Sequence, residues 1–261
     1  MKIVVQDLNK CFLERRHSIR FLGQCPPGTE CRVLKDLNFC IEPGSFTCFI
    51  GPSGCGKSTL MRIIAGFDSA SSGKVLIDGE ECSAPSSRHV FVFQEDGLFP
   101  WLTVWQNVAI GARHIHDHEE RAEQIMEYID LVGLAGFEGH YPHQLSGGMR
   151  RRAEVARALI VEPDILFMDE PFGALDFVTR LQMREEMVNV HTMFDMTILF
   201  ITHDIDEALQ LGDQVIVFSD RPSTVKADIK LDFPHPRDLG AEPLARIRRE
   251  VYYLMGLHPA L

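Results

Sequence analysis

The chain has no apolar run approaching the roughly 18 residues that a membrane-crossing helix needs, so no transmembrane segment is expected. It also lacks a basic surplus: 26 Lys and Arg face 37 Asp and Glu, a formal net charge of −11. That balance argues against a nonspecific nucleic-acid binder, whose affinity comes from cations set against phosphates. An anionic lipid surface would repel the chain on average, leaving only local basic patches to engage one. The opening Met1-Lys2-Ile3-Val4-Val5-Gln6-Asp7 reaches charge too soon for a signal peptide. The cysteines number seven, at 11, 25, 31, 40, 48, 55 and 82. An odd count, with Cys40 and Cys48 alternating with hydrophobic residues, reads as buried free thiols in a reducing cytoplasm rather than a disulfide framework. Cys11, His17, Cys25 and Cys31 could bind zinc, but their irregular spacing argues against it. No internal repeat is visible.

What is present is ordinary for a globular protein: 45% hydrophobic and 24% charged residues over 261 positions, enough for one large domain with a sizeable subdomain. Short β-branched and aromatic runs predict strands at Ile3–Gln6, Leu37–Ile41, Phe46–Ile50, Lys74–Ile77 and Val90–Phe93. Helical periodicity follows at Val104–Ala112, His118–Val132 and Gly147–Val161. The chain then alternates: strand Ile165–Met168, helix Val178–Phe194, strand Thr197–Ile201, helix Asp204–Leu211, strand Gln214–Phe218. Alternation of this kind predicts a parallel sheet with crossover helices, and the closely spaced early strands an antiparallel flank. The expected organisation is a single α/β domain with its core in 1–94 and 161–220. A helical subdomain over 95–160 and a strand and helix extension over 221–261 complete it. The segment between Phe12 and Leu37, with Arg15, Arg16 and Cys25-Pro26-Pro27-Gly28, reads as an elongated hairpin tip or a loop.

Gly51-Pro52-Ser53-Gly54-Cys55-Gly56-Lys57-Ser58-Thr59 fits the phosphate-loop pattern G-x-x-x-x-G-K-[ST]. Strand Phe46–Ile50 enters it and a helix beginning near Lys57 leaves it. Glycines let the backbone turn its N–H groups onto phosphates, and the helix start adds partial positive charge. Lys57 is expected to reach the β- and γ-phosphates and the Ser58 hydroxyl to ligate Mg²⁺. Cys55, beside Lys57 and the helix start, is expected to be a reactive thiol whose alkylation inhibits hydrolysis.

Ile165-Leu166-Phe167-Met168-Asp169-Glu170 is an apolar strand delivering two acids to the carboxyl edge of a parallel sheet, where ligands bind. Asp169 is placed to hold Mg²⁺, directly or through water, and Glu170 to polarise the attacking water. Leu145-Ser146-Gly147-Gly148-Met149 opens another helix, with Ser146 a natural N-cap and two glycines that permit close approach of a second backbone.

Taken together, these motifs resemble the ATP-binding cassette family. Gln94 after strand Val90–Phe93 is similar to the family's Q-loop, Gly173-Ala174-Leu175-Asp176 to its D-loop, and Thr202-His203-Asp204 to its switch histidine. The set runs in family order from 51 to 204. The resemblance implies a P-loop NTPase fold: an α/β core with a mixed or parallel sheet, an antiparallel β flank and an inserted helical subdomain. It implies hydrolysis of MgATP lying between the phosphate loop of one protomer and Ser146, Gly147 and Gly148 of the other. Gln94 would couple Mg²⁺ and the lytic water to subdomain movement, His203 would contact the γ-phosphate, and Asp176 would connect the two sites. Phe12 is the best match for the aromatic residue that stacks on adenine. Met149 replaces the glutamine common in the family signature.

The stretch Phe93-Gln94-Glu95-Asp96-Gly97-Leu98-Phe99-Pro100-Trp101-Leu102-Thr103-Val104 resembles ATPases serving nitrate, sulfonate, taurine and bicarbonate importers. Phe99, Trp101 and Trp105 either line a groove for a short permease helix or form the subdomain's own core. The resemblance implies two copies on the cytoplasmic face of a membrane. Their partners would be permease subunits that contact the region from Gln94 to Trp105, and a periplasmic or extracellular substrate-binding protein. Other classes fit less well. A lipid-trafficking or efflux ATPase would usually lack Pro-Trp-Leu-Thr-Val, and repair or translation cassettes carry coiled-coil inserts or tandem cassettes. A P-loop kinase would not need Leu-Ser-Gly-Gly.

Overall fold

The computed structural model describes residues 1–13, 30–93, 97–173, 175–194 and 196–257. In chain order the first elements are β1 (Ile3–Leu13), β2 (Glu30–Ile41), β3 (Phe46–Ile50), α1 (Lys57–Ile64), β4 (Ser72–Ile77), β5 (Glu80–Glu81) and β6 (His89–Val92). Then come α2 (Val104–Gly111), α3 (His118–Leu131), α4 (Gly147–Leu159), β7 (Ile165–Asp169), α5 (Phe177–Met193) and β8 (Thr197–Ile201). The last are α6 (Ile205–Leu211), β9 (Gln214–Phe218), β10 (Val225–Lys230) and α7 (Glu242–Leu254). The chain forms two compact units, 1–85 with 203–261, and 86–202. No helix among the described residues is long and apolar enough to cross a membrane.

In the first unit an antiparallel sheet runs in the order β2-β1-β4-β5. β1 and β2 pair antiparallel over longer spans than the apolar runs predict, with Leu13 still opposite Glu30; residues 14–29 lie outside the described residues. β3 is buried at all five positions and pairs in parallel with β9, itself buried throughout. Strands covered on both faces read as continuous apolar runs, as these do. β10 adds an antiparallel edge with alternating burial. Phe39, Phe49 and Phe218 meet edge to face at 5.5–6.4 Å between ring centres, closing the core under β3. Arg237, its side chain almost fully buried, donates to the Leu209 and Gly212 carbonyls and pairs with Asp213.

In the second unit β6, β7 and β8 form a parallel ladder, with β7 at its centre and buried along its whole length. The helical elements α2, α3 and α4 precede β7 in the chain and pack on one another. Asn107, fully buried in α2, donates to the Phe99, Leu102 and Thr103 carbonyls and accepts from the Phe99 N–H, fixing the Pro100-Trp101 turn. Thr103 and Gln106 cap α2 reciprocally.

Candidate functional site

The phosphate loop joins β3 to α1 within the first unit. Gly54 and Gly56 adopt left-handed φ of 75° and 118°. A Cβ on Gly56 would also lie 2.7 Å from Val33 Cγ1, so the loop is held down against β2. Lys57 is 6% exposed, and its ammonium donates to the Gly51 carbonyl at 2.8 Å and the Pro52 carbonyl at 3.1 Å. The cation is thus folded back inside the loop, satisfied by backbone dipoles that phosphate oxygens can replace. α1 begins at Gly56 with no side-chain cap and no acid in its first turn. Its leading N–H groups therefore keep their partial positive charge for an anion. Ser58 is exposed and Thr59 half-buried on that turn; Ser53 is exposed and Pro52 half-buried in the loop.

Two expectations change here. Cys55 is only 2% exposed, and its Sγ faces inward, 3.9 Å from the Lys57 ammonium. A thiol lining the loop's inner wall is shielded from reagents, which opposes the reactivity that its place beside Lys57 and the helix start suggested. Phe12 lies not after the first strand but inside β1, opposite Cys31, with the Lys10 ammonium 4.8 Å from its ring centre. The half-exposed ring remains free to face a planar group. Among the six described cysteines, Cys31, Cys48 and Cys55 are buried, while Cys11, Cys40 and Cys82 are half-buried. Cys25 and His17 lie outside the described residues. His203 is exposed immediately before α6, whose N-cap Asp204 accepts from the Asp206 and Glu207 N–H groups. Arg248 of α7 ion-pairs with Asp206 on the same turn.

In the second unit β7 carries Asp169 to its carboxyl end, 9% exposed. Glu170 follows in a left-handed conformation, φ 46°, which costs a non-glycine residue about 1–3 kcal/mol. It is held there from both sides: its N–H donates to the Ile201 carbonyl at 3.0 Å, and its carbonyl accepts from the Gly173 N–H at 3.2 Å. The apolar run foretold the strand but not this reversal, which turns the acid out of the ladder. Asp176 caps α5, its carboxylate accepting from the Thr179 hydroxyl at 2.6 Å and the Thr179 N–H at 3.1 Å. These bonds, the hydroxyl's first, hold the Asp176 carboxyl below the usual carboxylate range.

Ser146 caps α4 as expected, accepting from the Met149 N–H at 3.2 Å. A Cβ on Gly148 would fall 2.6 Å from Thr179 Cγ2, so this glycine is required by the fold, whereas Gly147 faces only the end of Arg150 at 3.8 Å. Gln94 lies outside the described residues. Sequence patterns gave no signal for the way α4 grips the chain on either side of it. Arg151 donates to the Phe93 carbonyl, and Glu154 accepts from the Gly97 N–H. Near these residues a cavity of about 690 Å³ is lined by Val90, Phe93, Gly97, Gly111, Arg113 and Arg157 among others. Phe99 is 39% and Trp101 69% exposed, which excludes a core role for the pair. Trp105 is half-buried.

Comparison with known proteins agrees with this geometry. The family described as ABC transporter matches residues 34–173, more than half of the chain. The aliphatic sulfonates import ATP-binding protein of Bacillus cereus is 42% identical, over 96% of this chain and 94% of that protein. The nitrate import ATP-binding protein of Synechocystis is 39% identical, over 96% and 90%. Among solved structures, a dimeric post-hydrolysis ATP-binding cassette bound to ADP and Pi superposes with a TM-score of 0.74 at 28% identity, covering 89% of this chain and all of that one. A phosphate loop with its lysine in place, an acid pair ending a buried strand, a serine-capped glycine turn and relatives along nearly the whole length agree on one assignment: the chain belongs to the ABC transporter family, as one of its ATP-binding cassettes.

Proposed function

We propose that this chain is the ATP-hydrolysing subunit of an importer for a small anion of the nitrate or sulfonate kind, working as two copies on the cytoplasmic face of a membrane. The observation that carries the reading is Lys57, its ammonium poised on the Gly51 and Pro52 carbonyls at the uncapped start of α1. That arrangement exchanges two backbone acceptors for phosphate oxygens with little reorganisation. The relatives named for nitrate and aliphatic sulfonates support the choice of an anion.

In this reading Gly51 to Thr59 enfold the β- and γ-phosphates, and Phe12 stacks on adenine. Ser58 and Asp169, with Gln94, offer the hard oxygen donors that Mg²⁺ takes. When bound, Mg²⁺ neutralises charge on the β- and γ-phosphate oxygens. Glu170 accepts the proton of the attacking water. Its backbone is tied to the Ile201 carbonyl and the Gly173 N–H. His203 contacts the γ-phosphate. Ser146, Gly147 and Gly148 of a second copy close over the nucleotide, and Asp176 connects the two sites. The cavity beside Phe93 and Gly97, with exposed Phe99 and Trp101 nearby, supports docking of a short permease helix; a substrate-binding protein delivers the anion from outside.

The test is reconstitution with the permease and substrate-binding protein of this reading in lipid vesicles. ATP turnover should rise when nitrate or an alkylsulfonate is supplied with its binding protein. Turnover indifferent to these anions but raised by a lipid would replace the importer with a lipid-trafficking or efflux system.

A further inference from the structure

His203 lies one residue before Asp204, the cap of α6, so the first turn of that helix sets where the histidine sits. α6 has only seven residues, and arginines from the segment after β10 hold it at both ends. The last carbonyls of a helix have no partner within it. Arg237 supplies one: Nη1 donates to the Leu209 carbonyl at 3.0 Å and to the Gly212 carbonyl, and Nε to the Phe233 carbonyl at 3.0 Å. Asp213, paired with the same guanidinium, accepts from the Phe46 N–H at 2.9 Å. A Cβ on Gly212 would come within 3.0 Å of Cys48 Sγ, so there is no slack at this end. The end of α6 is thereby clamped to β3, the strand that enters the phosphate loop.

At the other end the tie is Arg248, whose Nη2 donates to Asp206 Oδ2, three residues past His203. α7 keeps that arginine in place. It buries Leu244 and Val251, and Lys226 of β10 donates to its Leu254 carbonyl at 2.7 Å. The ring centre of Tyr252, one turn on, is 5.8 Å from the Arg248 guanidinium. Arg237 is buried, as a structural fastener would be. Arg248 and Asp206 are not: their side chains are 38% and 30% exposed, and an ion pair so open to water adds little stability. Asp206 Oδ1 and Arg248 Nε are themselves shut from water without a hydrogen-bond partner, which weakens the pair further as a stabilising device. What the pair does supply is a directional tie between a seated helix and the first turn of α6. We propose that Arg248 is a positioning residue for ATP hydrolysis: through Asp206 it sets the first turn of α6, and His203 with it. This rests on the γ-phosphate contact proposed for His203.

The test uses the full-length chain assembled with its permease and the variant Arg248→Met, which keeps the stem of the side chain and removes its fork. kcat should fall about tenfold, with KM for ATP within about twofold and the melting temperature near wild type, the pattern of lost orientation rather than lost binding. Asp206→Asn, which keeps the shape and removes the charge, should also lower kcat at constant KM; it carries the test if Arg248→Met does not fold. His203→Ala should slow turnover at least as much. Adding Arg248→Met to it should slow turnover no further, since residues acting as one unit are not additive. Wild-type kcat in Arg248→Met, or in Asp206→Asn where the first variant does not fold, would overturn the proposal. So would a double variant slowed by the full product of the two effects, or a kcat that falls only together with the melting temperature. Wild-type turnover of His203→Ala would instead remove the role of His203, and that of Arg248 with it.

Discussion

Two helices in this chain begin at a glycine-rich turn, and their ends are built differently. α1 starts from Gly56 in a left-handed conformation, with no side-chain cap and with a buried lysine as its first residue. α4 starts from Ser146, whose hydroxyl already occupies the Met149 N–H, and its first-turn cation, Arg150, donates back to the Leu145 carbonyl at 2.9 Å. The first end leaves N–H groups and a full cation for a polyphosphate. The second offers an exposed hydroxyl and one glycine with free space around it. Under the proposed function, the contrast teaches why one nucleotide would need both: α1 would have the charge to bind alone, whereas α4 would supply polar contacts that count only after phosphate is in place.

The largest expected effect separates chemistry from either helix end. Glu170→Gln keeps shape but removes the base, so phosphate release should slow about 10²–10⁴-fold while ATP stays bound. Sizing with MgATP should then show more dimer than without nucleotide, and near-normal turnover would take Glu170 out of the reaction. Next, Lys57→Ala should weaken ATP binding about 10–100-fold by removing charge-assisted bonds, measured by nucleotide titration. An equal loss from Ser146→Ala in the isolated chain would break the comparison, because α4 would then be binding on its own.

Smaller effects test the glycines. Gly148→Ala drives a methyl against Thr179 and should cost about 1–3 kcal/mol in urea unfolding, while Gly147→Ala should cost almost nothing. A further effect, confined to high pH, lies in α3. Burial and the nearby Glu162 and Glu127 push the Tyr128 hydroxyl from the ordinary 10.0 up to about 12. The folded state then keeps a proton that the unfolded chain loses, so this contribution is intact below about pH 10 and fades toward pH 12. Thermal melts of Tyr128→Phe should fall less steeply over that range than those of the wild type.

β3, β8 and β9 occupy the spans that their apolar runs predicted, because each is buried at all five positions and its ends are set by polar turns. β1 and β2 run well past their apolar cores, since pairing across a hairpin extends strands whose outer residues are half-exposed. β10 and α7 were anticipated as a strand and a helix within 221–261, without bounds. β10 alternates in burial, and α7 buries just Leu244 and Val251, too little apolar signal to place either. At the site, residue types and spacing were legible, while orientation was not. Cys55 turned inward, Phe12 fell inside a strand, and nothing local marked Arg151 and Glu154 as holding backbone more than fifty residues away.

Local pattern by itself determined an α/β chain with a nucleotide-binding phosphate loop, and the motifs in their order carried the resemblance to the ATP-binding cassette family. A phosphate loop needs glycines and a lysine at fixed local spacing, and buried parallel strands need unbroken apolar runs. Only the tertiary structure decided which glycine the fold requires, where Glu170 turns out of its strand and which side chains hold the flanks of Gln94. Each of those depends on an atom far away in the chain: Thr179 against Gly148, the Ile201 carbonyl on Glu170, the Phe93 carbonyl on Arg151. Spacing along a sequence carries local geometry, but contacts of that range exist only once the elements have packed.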